Sequence, residues 1–146
     1  MREKSSTYRS SLKLTLEGAN LMLAAAEQKA MQIGVPMDIA IADEGGNLLL
    51  FERMDAAKIT GIDIAINKAF TAACSRRGTH EYAEMASPGK PAFGIHVSNQ
   101  GRFIIFGGGL PIAINGEVVG GIGCSSGTAE QDRQVAQAGI EALQAK

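Results

Sequence analysis

Cysteine is scarce in this chain: Cys74 and Cys124 are the only two, far apart and without a second pair. That excludes a disulfide framework and a zinc cage, and both read as buried free thiols. Histidine is equally sparse. His80 and His96 stand alone, neither with a second histidine at i+3 or i+4, so no zinc-binding pair is present. No apolar run approaches the roughly 20 residues of a spanning helix, and the N-terminal MREKSSTYRSSLKL carries charge without a secretory h-region. These absences predict a cytoplasmic protein with no membrane partner. Neither charge dominates, with Lys+Arg 14 against Asp+Glu 15, which argues against a nucleic-acid surface and leaves a small molecule or a protein as partner. A GKS-type phosphate loop and a GxSxG nucleophile setting are also missing.

What is present centres on Phe103 to Thr128, FIIFGGGLPIAINGEVVGGIGCSSGT. Asn115-Gly116 prefers the positive φ angles of a type I′ turn, so Leu110 to Ile114 and Glu117 to Cys124 are predicted to pair as an antiparallel hairpin. Strict alternation puts Ala113, Val118, Gly120 and Ile122 on one face and Ile112, Ile114, Glu117, Val119 and Gly121 on the other. Neither face is polar, so helices or another subunit must cover both. This predicts a homo-oligomer.

Residues 1–13 are polar, without period, and read as a flexible arm; 14–146 read as a single domain. Leu16, Ala19, Leu23, Ala26, Ala30 and Ile33 mark one stripe of a helix that Thr15 caps and Gly34 ends. Met37, Ile39 and Ile41 alternate with Asp38, Ala40 and Ala42 as a strand, and Leu48 to Met54 follows as its hairpin partner. The acids Asp43, Glu44, Glu52 and Asp55 offer oxygen ligands for a hard cation, yet no EF-hand spacing, so turn formation is the simpler reading. Thr60 and Asp63 have capping-box spacing at a second helix, with Arg76 and Arg77 in its last turn and Gly78 closing it. Within that helix, Lys68 reads as a side chain whose stem covers apolar surface while its head reaches water, with a partly buried amine as the alternative.

Residues 87–101 hold so many breakers that they read as an irregular connection of the kind that often carries function. Thr128 and Gln131 form a second capping box, opening a helix to about residue 144. Gly121 to Gly127 before this helix is similar in outline to a dinucleotide loop. Glu130 and Asp132 at the helix start would repel phosphate, so no nucleotide is expected.

Four stretches in order, IAIADEGGNLLLFERMDAA, DIAINKAFTAA, SPGKPAFGI and GGGLPIAINGEVVGGIGCSSGTAEQDRQVAQAG, resemble the GlcG/HbpS family, also found as the C-terminal domain of PduO-type cobalamin adenosyltransferases. The resemblance spans roughly Leu14 to Leu143. It implies an α+β fold, a profilin-like three-layer α/β/α sandwich with an antiparallel sheet of about five strands, assembled into homo-oligomers. It also implies a non-enzymatic small-molecule-binding protein for haem or a related tetrapyrrole, accessory to cobalamin-dependent diol or glycerol metabolism or to glycolate use. With no histidine in the first helix, His80, His96 or Met54 would supply an axial bond to iron. Arg53 and Lys68 would pair with a propionate, and Asp43 and Asp55 are the candidate metal ligands. The alternatives are a catalyst acting on a small hydroxy acid, which needs Asp43, Arg53, Lys68 and His96 to converge, and a structural or regulatory subunit of a larger enzyme.

Overall fold

The computed structural model describes residues 6–146. The elements are α1 (Leu16–Ile33), β1 (Asp38–Asp43), β2 (Leu48–Arg53), α2 (Thr60–Ser75), a short α3 (Tyr82–Met85), β3 (Gly109–Ile114), β4 (Glu117–Ser125) and α4 (Ala129–Gln144). The strands form one antiparallel sheet of four in the order β2-β1-β4-β3, one fewer than the resemblance implied. Helix α2 covers one face, while α1 and α4 pack together on the other, which gives three layers.

Local signals account for most boundaries. The Thr15 hydroxyl accepts a hydrogen bond from Gly18 N at 3.0 Å, and Gly34 ends α1 in the left-handed conformation at φ 72°. At α4, Thr128 Oγ1 accepts from Gln131 N and Gln131 Oε1 accepts from Thr128 N, which is the expected capping box. Helix α2 departs from expectation at both ends. No side chain caps its start, and Asp63 instead accepts from Asn67 Nδ2 one turn on. Arg76, at φ 60°, and not Gly78, provides the left-handed stop. Along α1 the buried stripe is Ala19, Met22, Ala26 and Ala30, with Leu16 left exposed.

The central hairpin turns at Asn115 (φ 52°) and Gly116 (φ 78°), as a type I′ turn requires. Its faces differ from strict alternation because of a β-bulge. Ala113 pairs with Val118 but Ile112 pairs with Gly120, so Val119 is the extra residue and every later side chain changes side. Ile112, Val119 and Ile122 therefore share the core beneath α1 and α4. Gly121 and Gly123 face α2, where a Cβ would stand 2.3 Å from Ala69 O and 2.2 Å from Ala65 O. The glycines let the helix backbone rest on the strand. Both hairpin faces are thus covered within one chain, and the apolar surface left outside belongs to other residues.

Of the expected N-terminal arm, residues 1–5 lie outside the described residues. Residues 6–13 have no regular secondary structure, but Leu12 N donates to Glu117 Oε1 at 3.1 Å and Lys13 pairs with Glu44, tying the segment to the two hairpin turns.

Candidate functional site

The long connection between α3 and β3 is ordered by its own short turns. Backbone bonds such as Ala92 N to Met85 O and Val97 N to Gly94 O fold it into 3₁₀ turns at Ile95–Val97 and Asn99–Gly101. Its far end is anchored: the Arg102 guanidinium lies 3.9 Å from the Phe70 ring centroid and Arg102 Nε donates to Asn67 Oδ1. Phe103 meets Tyr82 edge-on at 4.8 Å between centroids. On this base the loop presents His96 to solvent beside two uncovered apolar side chains, Phe93 at 59% and Val97 at 72% exposure. An accessible imidazole on an apolar patch is a donor that suits haem iron.

The remaining sequence candidates do not join it. His80 is half-buried, with Nδ1 buried and without a hydrogen-bond partner. Burial and then the Arg133 charge lower its pKa, against the pull of Glu81, so its ring is neutral at pH 7. Met54 packs on the core and its sulfur accepts from Met37 N at 3.4 Å. Asp43 Oδ1 accepts from Gly45 N and Asn47 N, both at 2.9 Å, as a turn-forming residue does. Asp55 and Arg53 are exposed. Arg53 sits at the opposite end of the β1–β2 hairpin from Asp43, since it pairs with Asp38. Among the described residues, four surface cavities are each lined without Asp43, Arg53, Lys68 or His96. Among the described residues no group of His, Cys, Asp and Glu gathers as a metal cage.

Lys68 is where the structure departs furthest from the expectation of a water-reaching head. It is fully buried, donating to Cys124 O at 2.8 Å and to Asp132 Oδ2 at 2.9 Å, with the Phe106 ring centroid 5.1 Å from Nζ. The route from α2 to α4 passes the glycine run before β3. A Cβ on Gly108 would stand 2.6 Å from Lys68 Nζ and 2.8 Å from Asp132 Cβ, so only glycine leaves the passage open. Asp132 Oδ1 accepts from Gly127 N at 2.9 Å. Burial pushes the Asp132 carboxyl above its usual range while Lys68 and the Gly127 N–H oppose the shift. The neighbouring Cys124 thiol is pushed up by burial too, which makes it inert.

Asp38, at the start of β1, is fully buried, and neither carboxylate oxygen has a hydrogen-bond partner. Burial raises its pKa, with Arg53 lowering it and Asp132 adding to the rise. Neither aspartate stands out as a site residue in the sequence. Asp132 reads from sequence only as an acid at a helix start that repels phosphate, and Asp38 as a residue sharing a strand face with Ala40 and Ala42, a pattern that is the available signal.

A glycine-rich antiparallel hairpin at the centre of a four-stranded sheet, with helices on both faces and no membrane-crossing helix among the described residues, defines a small three-layer α/β/α domain. Residues 14–141 match the family model of the haem degrading protein HbpS-like proteins, and the chain belongs to that family. It is 48% identical over 128 residues to an uncharacterised 15.0 kDa protein of the dhaT-dhaS intergenic region of Citrobacter freundii, covering 88% of this chain and 90% of the relative. The crystal structure of Klebsiella pneumoniae protein ORFY matches with a TM-score of 0.95 at 40% identity, over 99% of both chains. That of a PduOC:heme complex matches with a TM-score of 0.87 at 33% identity, over 90% of this chain and 95% of the other.

Proposed function

We propose that this protein is a non-enzymatic, cytoplasmic, single-domain binder of haem or a related tetrapyrrole, held in a groove formed between copies of the chain. The observation that carries the reading is His96, accessible on a loop whose far end is anchored by Arg102, and flanked by the exposed Phe93 and Val97. A relative of the same fold is known as a heme complex. Haem supplies iron coordination and redox chemistry when bound; His96 would hold the iron, and Phe93 and Val97 would cover the ring face. Lys68 is already engaged with Asp132 and Cys124 O, so it is not free to pair with a propionate.

Within one chain, a cavity of about 720 Å³ is lined mainly by charged and amide side chains such as Gln28, Arg133 and Glu141, and one of about 680 Å³ mixes Arg9, Glu44, Arg76 and Glu117 with serines and small residues. Neither offers an apolar slot for a flat macrocycle, which supports a groove completed by a second copy. A role beside cobalamin-dependent diol or glycerol metabolism fits the company of its relatives. Hemin titration tests the reading: a saturable Soret shift at micromolar protein is expected, and an unchanged band over folded protein would remove it.

A further inference from the structure

Asp38 opens β1, the strand that pairs with β2 on one side and β4 on the other, and it is fully buried with neither carboxylate oxygen hydrogen-bonded. Its neighbours differ in how firmly they are held. Arg53 of β2 and Ser125 of β4 stand opposite it in the two ladders. The first turn of α2 lies over it, so close that a Cβ on Gly61 would stand 2.1 Å from Oδ2. The strands are fixed by their ladders. This turn has no side-chain cap, begins at the exposed Ile59, and is tied to the end of β4 by Lys58 N donating to Ser126 Oγ at 3.0 Å. It is the wall that can give way.

Arg53 is the cation placed to answer a charge on Asp38. Met54 N donates to Met37 O, so those two form a hydrogen-bonded pair, and the next pair along, Asp38 and Arg53, is of the kind whose side chains lie closest. Both side chains start from the sheet face that α2 covers, yet Arg53 is exposed and makes no hydrogen bond to the carboxyl. Among the other charges, Asp132 of α4 is matched by Lys68 of α2, and Asp55 and Lys58 of the β2–α2 connection are exposed. An ionised Asp38 in this closed arrangement would be a buried charge without a bonded partner, which is far costlier than fraying one uncapped helix turn. Burial, the largest influence, raises the carboxyl's pKa, with Arg53 lowering it and Asp132 raising it. The folded chain therefore keeps this proton above the unfolded carboxyl's range and loses it as pH rises further.

We propose that Asp38, Arg53 and the first turn of α2 form a proton-operated switch. With Asp38 protonated, the turn rests on the carboxyl and Arg53 extends into solvent; when the proton passes to water, the turn lifts and the Arg53 guanidinium folds in to donate to the carboxylate. Thr60 and Gly61 also line a cavity of about 230 Å³ beside Phe106, so lifting the turn widens that opening. The switch is separate from the His96 patch and does not depend on haem.

NMR signals of the Asp38 carboxyl carbon, the Gly61 amide and the Arg53 Nε, followed between about pH 4 and about pH 9, test it. One shared midpoint, above the ordinary aspartate value of about 3.9, is expected at all three. Asp38→Asn has nothing to ionise, so the Gly61 and Arg53 transitions should vanish. Arg53→Gln, at an exposed position, removes the partner of the open state, and the Asp38 midpoint should rise by at least about one pH unit. If Asp38→Asn does not fold, Arg53→Gln decides alone. An Asp38 carboxyl that titrates in the ordinary range or shows no midpoint, Gly61 and Arg53 signals that do not follow it, or a midpoint unmoved in Arg53→Gln would each overturn the proposal.

Discussion

The Lys68 ammonium and the Asp132 carboxylate meet at 2.9 Å with side-chain exposures of 0% and 4%, joining α2 to α4 across the end of the sheet. Removing either partner leaves an uncompensated buried charge. Lys68→Met or Asp132→Leu alone should cost about 3–5 kcal/mol, and the double variant should cost clearly less than the sum. Urea denaturation of the four proteins in the cycle measures this; additive losses would show that the pair does not interact.

Glu52 on β2 faces Glu27 on α1. Its carboxyl is pushed up from 4.5 to about 7 by burial, then by the hydrogen bond and charge of Glu27. Because the folded-state value lies above the unfolded one, the folded chain holds the extra proton between them. The group's contribution to stability is thus full below about pH 4.5 and is lost as pH rises through about 7. Glu52→Gln cannot lose a proton, so its unfolding free energy should fall less steeply across that window. Parallel pH profiles for the two proteins would contradict the assignment.

Gly123 and Gly116 test two separate reasons for glycine. A methyl at 123 would meet Ala65 O at 2.2 Å and Ala69 N at 2.5 Å, forcing α2 off the sheet, whereas at 116 nothing lies within 4 Å and only the φ of 78° matters. Gly123→Ala should cost about 3 kcal/mol and Gly116→Ala about 1 kcal/mol. Thermal unfolding that ranks them the other way would mean the helix does not rest on the strand as described.

Signals confined to a few residues were legible in the sequence. Asn115-Gly116, the Thr15 and Gly34 caps and the Thr128–Gln131 box act within one turn of chain and appear where expected. The bulge at Val119 was not legible, since alternation alone cannot show an extra residue, and it exchanged the hairpin faces. Arg76 closes α2 in a conformation usually left to glycine, so sequence alone points two residues too far, to Gly78. At the site, His96 was named from its loop. The Lys68–Asp132 pair joins residues 64 apart, and Asp38 lies so close beneath Gly61 that a Cβ there would stand 2.1 Å from Oδ2, so both depend on tertiary packing that no local pattern carries.

Since α2, α1 and α4 cover both faces of the sheet, any association between copies must use the apolar residues outside the core, notably Phe93, Val97, Ile59 and Phe106. Light scattering coupled to size exclusion should give a multiple of the 15.3 kDa chain mass. Phe93→Asp with Val97→Asp should lower that mass without unfolding the protein. A native chain that stays monomeric at sub-micromolar and at higher concentration would contradict the shared groove.

The most direct test of haem binding at His96 is a Soret titration of the native protein beside His96→Ala and His80→Ala. The exposed His96 can be removed without disturbing packing, so folding should be unaffected. Saturable binding by the native protein and His80→Ala, with loss of the imidazole-ligated spectrum in His96→Ala, is the predicted result. An identical spectrum and affinity in His96→Ala would contradict it.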